Sequence, residues 1–216
     1  MAKSSARDNI KLTSVDDLFT TEESRAEQQR EKVMDIPLSE ISDFPNHPFK
    51  VRADEAMLEM AGSVKQYGVL VPGLVRPKAD GGYEMVAGHR RKKASELAGK
   101  DTMPCIVREM DDDAATIIMV DSNLQRESIL PSEKAFAYKM KLEAMKRQAG
   151  RPSKENASQV GTQKRSDQIL AEQSGESRNQ IQRYIRLTEL SPAILEMVDE
   201  KQIAFNPAVE LSYLAE

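Results

Sequence analysis

A basic turn after an apolar strand offers the clearest chemistry in this sequence. The apolar run Tyr83–Ala87 predicts a strand that ends at Gly88, and a cationic helix is predicted to begin at once and to continue to about Leu97. A strand that turns through glycine into a helix directs backbone N–H groups at one point, which is a natural anion site. Arg90 and Arg91 would lie in the first helical turn, where cations are unfavourable unless an anion neutralises them. The stretch therefore predicts an anion site.

The same residues are also compatible with a simpler interpretation. A basic helix start can be fully solvated and bind nothing, and short glycine motifs often occur without the function that they suggest. The neighbouring elements must decide between the two.

Composition alone does not indicate a nucleic-acid-binding protein. The chain has 216 residues, which suits one large domain or two small ones, and its formal net charge is −4. An argument for nucleic-acid binding must therefore rest on how the charges are distributed. Low aromatic content, 5%, together with 31% charged residues, favours a helical protein with much exposed surface.

Cysteine content and hydropathy indicate the cellular compartment in which the protein is expected. Cys105 is the single cysteine, which excludes an internal disulfide and a cysteine-based zinc site, and it is expected to be a small core residue. No apolar run approaches the length of a membrane span, and the N-terminus lacks the apolar core of a signal peptide. We expect a cytoplasmic protein with no membrane contact.

Strands and helices are predicted to mix in the first part of the chain. Residues 1–32 are polar and are expected to form a flexible N-terminal arm. Strands are then predicted at 33–38, within 68–77, at 83–87 and at 103–108, and the sequence Asp80-Gly81-Gly82 predicts a hairpin between the second and third. Helices are predicted after Asp54, Gly88, Asp111 and Leu130.

Two of these helices carry apolar residues at helical spacing, which predicts their buried faces. The sets are Ala114, Ile117, Val120 and Leu124 in the first, and Ala135, Tyr138, Leu142 and Met145 in the second.

A change of composition marks the expected domain boundary. Residues 150–162 are rich in Gly, Pro, Ser, Asn and Gln, so we place a linker at about 148–164. The predicted domains are 33–130, in which strands and helices mix, and 131–216, in which every segment reads as a helix.

A helix-turn-helix is predicted at about 166–187. Ala171 allows close helix approach, Gly175 makes the turn, and Ile181 and Tyr184 hold the second helix against the first. Ser177 would cap that second helix. Its outward polar residues could contact base edges or phosphates, with Arg178, Asn179, Gln180 and Arg183 favoured for the groove and Gln182 and Arg186 beside them. An ordinary helical hairpin with a polar face is the alternative.

A local excess of positive charge adjoins this helix pair. Between Lys139 and Arg165 lie eight lysines and arginines, Lys164 and Arg165 among them, against two glutamates. Such an island would supply the salt-dependent, sequence-independent part of DNA affinity. A solvated charged face is the alternative.

The order of these segments resembles the ParB family of partition proteins. The resemblance runs from about residue 33 to the end of the chain and rests on ordered motifs. Residues 45–52 (PNHPFKVR) resemble the family motif N-P-x-Q-x-R, and residues 68–76 (GVLVPGLVR) fit the motif G-x-x-x-P-x-x-V-R. Residues 88–91 (GHRR) resemble the motif G-E-R-R, and residues 123–126 (NLQR) fit the end of the motif E-N-x-Q-R.

The resemblance implies a fold. It would be an α+β N-terminal domain, with a small mixed sheet and helices of the ParB/sulfiredoxin-like type, followed by an all-α helix-turn-helix domain.

The resemblance also implies a function. CTP and Mg²⁺ would be the cofactors, centromere-like double-stranded DNA the target, and a ParA-type ATPase a partner. Residues 33–130 would be the nucleotide-binding domain. Nucleotide and DNA would close a homodimer into a sliding clamp, and the protein would be associated with the nucleoid. The implied nucleotide-binding residues are Gly68, Pro72, Arg76, Gly88, His89, Arg90, Arg91, Asn123, Gln125 and Arg126, with Asn123 also a ligand to Mg²⁺.

Three positions depart from the family pattern. His89 and Ser122 stand where the family usually has acidic residues, and Val71 replaces a common Gln. A hydroxyl in place of a carboxylate removes a negative ligand from a hard cation. We therefore expect weaker or altered nucleotide binding and impaired hydrolysis, so that enzyme activity stays an open question.

The end of the chain and the function leave alternatives open. Family members usually continue to a C-terminal dimerisation domain, so the chain is either a fragment or lacks stable C-terminal dimerisation. A related transcriptional or nucleoid-occlusion regulator would use the same modules. An enzyme on the sulfiredoxin-like fold ranks lower, because the turn at Gly88 carries no cysteine.

His47 and His89 are the only two histidines. A metal site made of both is one interpretation, and a loop histidine with a phosphate-facing or solvent-facing partner is the other. A protonated His89 could donate to a phosphate, which would make nucleotide affinity depend on pH between 5.5 and 8.

Overall fold

The computed structural model describes residues 32–51, 53–126, 128–149 and 165–214. Residues 1–31 of the predicted N-terminal arm and almost all of the predicted linker, together with Lys164, lie outside the described residues. So does Arg52 of the first motif.

A five-stranded mixed sheet forms the first part of the described structure. The strands are β1 (Val33–Pro37), β2 (Ile41–Ser42), β3 (Gly73–Pro77), β4 (Tyr83–Ala87) and β5 (Thr102–Val107), in the order β1-β5-β3-β4-β2. β1 runs antiparallel to β5 and β3 antiparallel to β4, whereas β3–β5 and β4–β2 are parallel pairs. The predicted hairpin is thus confirmed. Its first strand begins only at Gly73, because Pro72 has no N–H to give to a ladder.

The helices follow the sequence signals for their ends. They are α1 (Glu55–Tyr67), α2 (His89–Leu97), α3 (Asp112–Leu124), α4 (Pro131–Gln148), α5 (Ser166–Ser174), α6 (Arg178–Arg186), α7 (Pro192–Asp199) and α8 (Phe205–Leu211). Asp54, Asp111 and Ser177 cap α1, α3 and α6. The side chain of each accepts a hydrogen bond from the backbone N–H of the residue three positions later. None of the helices in the described part of the chain combines the length and apolar character that a membrane span requires.

One face of the sheet carries a small apolar core. Buried side chains of β1, β3, β4 and β5 meet there, among them Val75, Met85, Met103 and Cys105. Cys105 is fully buried and unpaired, as predicted, and burial raises the pKa of its thiol to about 11. A thiol with so high a pKa is a poor nucleophile, so the residue serves packing.

Helices α3 and α4 build a second core. Phe44, Phe49 and Val86 pack there against Met119 and Val120 of α3, and Ala137 of α4 completes the cluster. The predicted face of α3 was wrong by part of a turn. The buried residues are Ala115, Thr116, Met119, Val120 and Asn123, whereas Ala114, Ile117 and Leu124 are only partly buried. Asn123 tolerates burial because its side-chain amide donates to the Met119 carbonyl at 2.8 Å.

Helix α4 belongs to three apolar clusters at once. Ala137 packs towards α3 and the sheet, Tyr138 and Leu142 pack with Leu170 and Ile181 of α5 and α6, and Ala135 packs towards α7 and α8. Residues from Val33 onward accordingly form one compact unit. The division at residue 131 stays a prediction.

The α3 core allows a direct test of this packing. Met119→Ala is expected to lower the free energy of unfolding by about 2–5 kcal/mol, because it removes a fully buried side chain and leaves a cavity. Leu58→Ala is the matched control on α1, where the side chain is 66% exposed, and a change within about 0.5 kcal/mol is expected. Urea unfolding measures both, and equal losses would contradict the placement of Met119.

Candidate functional site

The predicted turn between strand and helix is present. β4 ends at Ala87, Gly88 adopts φ +117°, and α2 begins at His89. A Cβ at Gly88 would lie 3.3 Å from the Gly73 Cα and 3.3 Å from the Arg91 guanidinium. Glycine is required here for its left-handed backbone and for the close approach of two chain segments.

The two arginines of the turn have different partners. Arg91 is half-buried, and its Nη1 donates to the carbonyls of Val71, at 2.6 Å, and Pro72. It therefore holds the loop before β3 and does not point outwards. The Arg90 Nη2 lies 3.6 Å from the Asp54 carboxylate, at the N-terminus of α1.

Arg90 lines a cavity of about 850 Å³, which we call the main cavity. Of the predicted nucleotide-binding residues, it brings together Arg90, Gln125 and Arg126. The other lining residues come from the loop before α1, the segment 128–133 and the start of the loop after α7: Lys50, Asp54, Ser128, Ile129, Leu130, Pro131, Glu133, Asp199 and Lys201.

Backbone donors already engage the carboxylates of the main cavity. Asp54 accepts from the Met57 N–H at 2.9 Å, and Glu133 accepts from the N–H groups of Lys50, at 2.9 Å, and Leu130, at 3.1 Å. Asp199 accepts from the N–H and the hydroxyl of Ser132, at 3.0 and 2.5 Å. These hydrogen bonds fix the positions of the three carboxylates.

Four cations face the same space: Lys50, Arg90, Arg126 and Lys201. Burial lowers the pKa of Arg126, and the nearby Arg90 charge lowers it further. Two guanidiniums in such proximity repel each other, and an anion between them would relieve that repulsion. The main cavity is therefore suited to a polyanionic ligand.

The remaining predicted nucleotide-binding residues do not line the main cavity. Arg76 pairs with Glu84 at 2.6 Å and with Asp112 at 2.7 Å, so its charge is balanced within the fold. Gly68 ends α1, where its N–H donates to the Val64 carbonyl. Asn123 is buried, with its amide on the Met119 carbonyl. Nucleotide contact by these residues, and Mg²⁺ ligation by Asn123, stay predictions.

His89 lies in a different, smaller cavity of about 260 Å³, which we call the histidine cavity. Its lining includes His47, His89, Asp43, Phe49 and Lys92. Burial, together with the smaller effect of the adjacent His47, lowers the pKa of His89 to about 3. The expectation that a protonated His89 donates to a phosphate at pH 5.5–8 was therefore wrong, since the desolvated ring stays neutral there.

The predicted helix pair consists of α5 and α6, joined through Gly175 at φ +68°. Ile181 is fully buried against Leu170 and Ala171, and Tyr184 packs at the edge of the same cluster. Ser177 caps α6, with its hydroxyl accepting from the Gln180 N–H at 3.1 Å.

The outward residues of α6 fall into two groups. Ser177, Arg178, Asn179 and Gln182 are exposed, whereas Gln180, Arg183 and Arg186 are half-buried. The exposed Arg178 pairs with Asp167 of α5 at 2.6 Å. Arg183 donates to Asn206 at 2.6 Å and lies over the Phe205 ring, and Arg186 donates to the Ser212 carbonyl at 2.8 Å. Both of these arginines thus contact α8 or the residue after it. DNA contact by either group stays a prediction.

Several charges of the basic island have internal partners among the described residues. Lys141 is buried, where it pairs with Asp121 and donates to Gln173, and Arg147 pairs with Asp113. Lys139 contacts Glu189 at 3.4 Å. Arg165 is exposed, 3.6 Å from Asp167. Of these described residues, only Lys141 is withdrawn from the surface, whereas the exposed pairs leave their cations accessible.

Sequence reasoning missed Lys50 and Lys201 in the main cavity. Lys50 stands in the motif at 45–52, so that motif could have pointed to it. Lys201 gave no signal, because only tertiary packing brings the loop after α7 to this cavity. Its φ of +63° is unusual for a residue with a side chain.

The sheet, the turn and the cationic cavity define a mixed α/β domain with a cavity suited to an anion, joined to a helical module. Residues 22–124 match the family model for the ParB N-terminal domain. The resemblance to the ParB family seen in the motifs is thus confirmed for this part of the chain.

Curated relatives match most of this chain. The chromosome-partitioning protein Spo0J of Thermus thermophilus is 34% identical over 182 residues, which are 84% of this chain and 60% of that protein. A nucleoid occlusion protein of a Geobacillus species is 28% identical over 193 residues, 89% of this chain and 62% of that protein. The chain thus spans about 60% of the length of these relatives.

A solved structure supports the fold assignment. The C-terminally truncated ParB of Caulobacter crescentus, complexed to the centromeric parS site, superimposes with a TM-score of 0.50 at 26% identity. The match covers 83% of this chain and 84% of that one. A mixed α/β N-terminal part followed by helices is therefore confirmed.

The Gly88 turn gives the second test. Gly88→Ala is expected to lower the free energy of unfolding by about 1–3 kcal/mol, because φ +117° strains a residue with a Cβ. Gly62→Ala is the matched control within α1, where a Cβ meets nothing within 4 Å, and a gain of about 0.5–1 kcal/mol is expected from helix propensity. Thermal and urea unfolding measure both, and a neutral Gly88→Ala would contradict the strain argument.

Proposed function

We propose that this chain is a DNA-binding partition protein of the ParB family, switched by a nucleotide in its main cavity. The observation that carries the proposal is the union, in one compact unit, of a cationic cavity and an exposed polar helix face. The sources of support are the motif order, the geometry and the comparisons above.

CTP is the proposed nucleotide, since the family resemblance implies it and four cations suit a triphosphate. Arg90 and Arg126 would take the phosphates, with Gln125, Lys50 and Lys201 beside them. Mg²⁺ would neutralise further phosphate charge. Ser122 supplies no carboxylate, and its hydroxyl donates to the Met119 carbonyl at 2.9 Å, so the proposal concerns binding and leaves hydrolysis out.

The DNA function rests on α6. Its exposed residues lie at the capped N-terminal end of the helix, which is the end that meets base edges in helix-turn-helix proteins. We propose centromere-like double-stranded DNA as the target, a homodimer that closes into a clamp on it, and a ParA-type ATPase as partner. Chromosomal and plasmid partition remain equally compatible with this proposal.

A nucleoid-occlusion or transcriptional regulator is the second candidate, favoured by the nucleoid occlusion relative. The two candidates predict the same cavity and helix face. They differ in the position of the DNA sites on the genome and in the partner, so selection of bound fragments from genomic DNA separates them.

One experiment tests the core of the proposal. Binding of CTP, UTP, GTP and ATP is measured by calorimetry, with and without DNA selected from a random library by this protein. Preference for CTP together with a CTP-dependent change in DNA residence time supports the proposal. Equal binding of all four nucleotides, or residence times that do not change, would overturn the switch.

The main cavity gives a sharper prediction. Arg90→Gln is expected to weaken CTP binding about 10-fold to 100-fold, because a charge-assisted contact to a phosphate is lost. Lys201→Gln is expected to weaken CTP binding more than CMP binding. Lys100→Gln, an exposed lysine outside the cavity, is the matched control and should leave both affinities unchanged. Unchanged CTP affinity in correctly folded Arg90→Gln protein would place the nucleotide elsewhere.

The helix α6 gives a separate prediction. Asn179→Ala is expected to weaken binding to the selected site about 5-fold to 100-fold and to leave random DNA unaffected, because a base contact is lost. Arg178→Ala should weaken binding to both and reduce the salt slope by about 0.9, since a phosphate contact is lost. Gln168→Ala, exposed on α5, is the control. Fluorescence anisotropy over a salt series measures these effects. If Asn179→Ala and the control behave alike, α6 does not read the site.

A further inference from the structure

The two histidines of the chain lie side by side in the histidine cavity. They are 42 positions apart in sequence, yet their ring centroids are 4.0 Å apart, with the ring planes tilted by 45°. His47 belongs to the loop before α1, and His89 is the first residue of α2. Tertiary folding alone brings these rings together.

The tautomer of His47 is fixed by its backbone partner. Its Nδ1 lies 2.7 Å from the Phe49 carbonyl oxygen, which can only accept a hydrogen bond, so Nδ1 carries the proton. The Nε2 of a neutral ring is then a bare lone pair. That atom is buried and has no hydrogen-bond partner among the described residues.

His89 presents a second atom of the same kind. The residue is 7% exposed, and its Nε2 is likewise buried with no hydrogen-bond partner in the described part of the chain. Buried polar atoms nearly always have partners, so two such atoms on adjacent imidazoles indicate a ligand that satisfies both.

The chemistry of the pair selects the class of ligand. Imidazole nitrogens with a lone pair are preferred ligands of borderline divalent metals such as Zn²⁺, Co²⁺ and Ni²⁺. A metal-binding histidine commonly donates its other ring N–H to a backbone carbonyl, as His47 does. We propose that His47 and His89 bind one such divalent metal ion in the histidine cavity.

Solvent would complete the coordination sphere. Within the described ranges no group of three or more His, Cys, Asp or Glu side chains is placed to hold a metal. Asp43, the nearest acid of the lining, is paired with Lys92 at 2.7 Å. The site is thus a two-histidine site with open positions, which binds more weakly than a four-ligand structural zinc site.

The proposed metal would connect two parts of the fold. It would join the loop at His47 to the first turn of α2, next to Arg90 of the main cavity. This inference goes beyond the proposed nucleotide and DNA functions and does not depend on either.

Nuclear magnetic resonance on the full, tag-free chain tests the proposal directly. With two histidines, the ¹⁵N spectrum of the imidazoles is readily assigned. Zn²⁺ is expected to saturate at one equivalent, to shift Nε2 of both rings and to leave the His47 Nδ1–H signal in place. Zn²⁺ binding that leaves either Nε2 signal unchanged, or that needs several equivalents, would overturn the site.

Variants give an independent measurement. Co²⁺ absorption, with Zn²⁺ as competitor, is expected to show at least 10-fold weaker binding for His47→Gln and for His89→Gln. Glu59→Gln, at an exposed position of α1 outside the histidine cavity, is the control and should bind as the wild type does. Equal affinity in all variants would contradict the proposal. If a variant fails to fold, the spectrum of the wild type decides.

Discussion

The buried carboxylate of Glu133 is the interaction on which the rest of this structure depends. Glu133 is 8% exposed and lies in the first turn of α4. One of its oxygens accepts from the Lys50 N–H and the other from the Leu130 N–H. The Glu133 side chain therefore fixes two segments. One is the loop at Lys50, which follows β2, and the other is the start of α4, the longest described helix. The charge favours the helix N-terminus, where N–H groups and the helix dipole stabilise an anion.

That helix in turn explains why the cationic cavity exists. Because α4 packs against α3, α5 and α7, it brings Arg126, after α3, and Lys201, after α7, to the same space as Arg90. The acids of this space accept hydrogen bonds from backbone N–H groups, and Asp54 also lies 3.6 Å from Arg90. Four cations line the space beside three acids that have structural partners, an arrangement that favours a polyanion.

Much of the fold could be predicted from the sequence. Asp54, Asp111 and Ser177 gave the starts of three helices, because a short polar side chain at that position satisfies a free N–H. Gly88 gave the strand-to-helix turn, and the glycines at 81 and 82 gave the hairpin. The face of α3 was placed wrongly, because its apolar residues cover most of its circumference and only the neighbours of the helix select a side.

The site was predicted less completely, for a physical reason. A sequence shows which side chains carry charge but not which partner each one meets. The sequence pattern made Arg76, Arg91 and Lys141 candidates for ligand contact. In the fold, each of them contacts an internal carboxylate or carbonyl instead. Lys201 reaches the main cavity, and His47 contacts His89, only because segments distant in the chain pack together. No local spacing in the sequence predicts either placement.

The sequence by itself determined the order of elements, the glycine turn and the family resemblance, since these depend on local backbone preferences and on ordered motifs. Only the tertiary structure decided which cations remain facing a cavity and which histidine atoms lack a partner. Hydrogen bonds and ion pairs act over a few ångströms, and the distances between segments far apart in the chain exist only once the helices have packed.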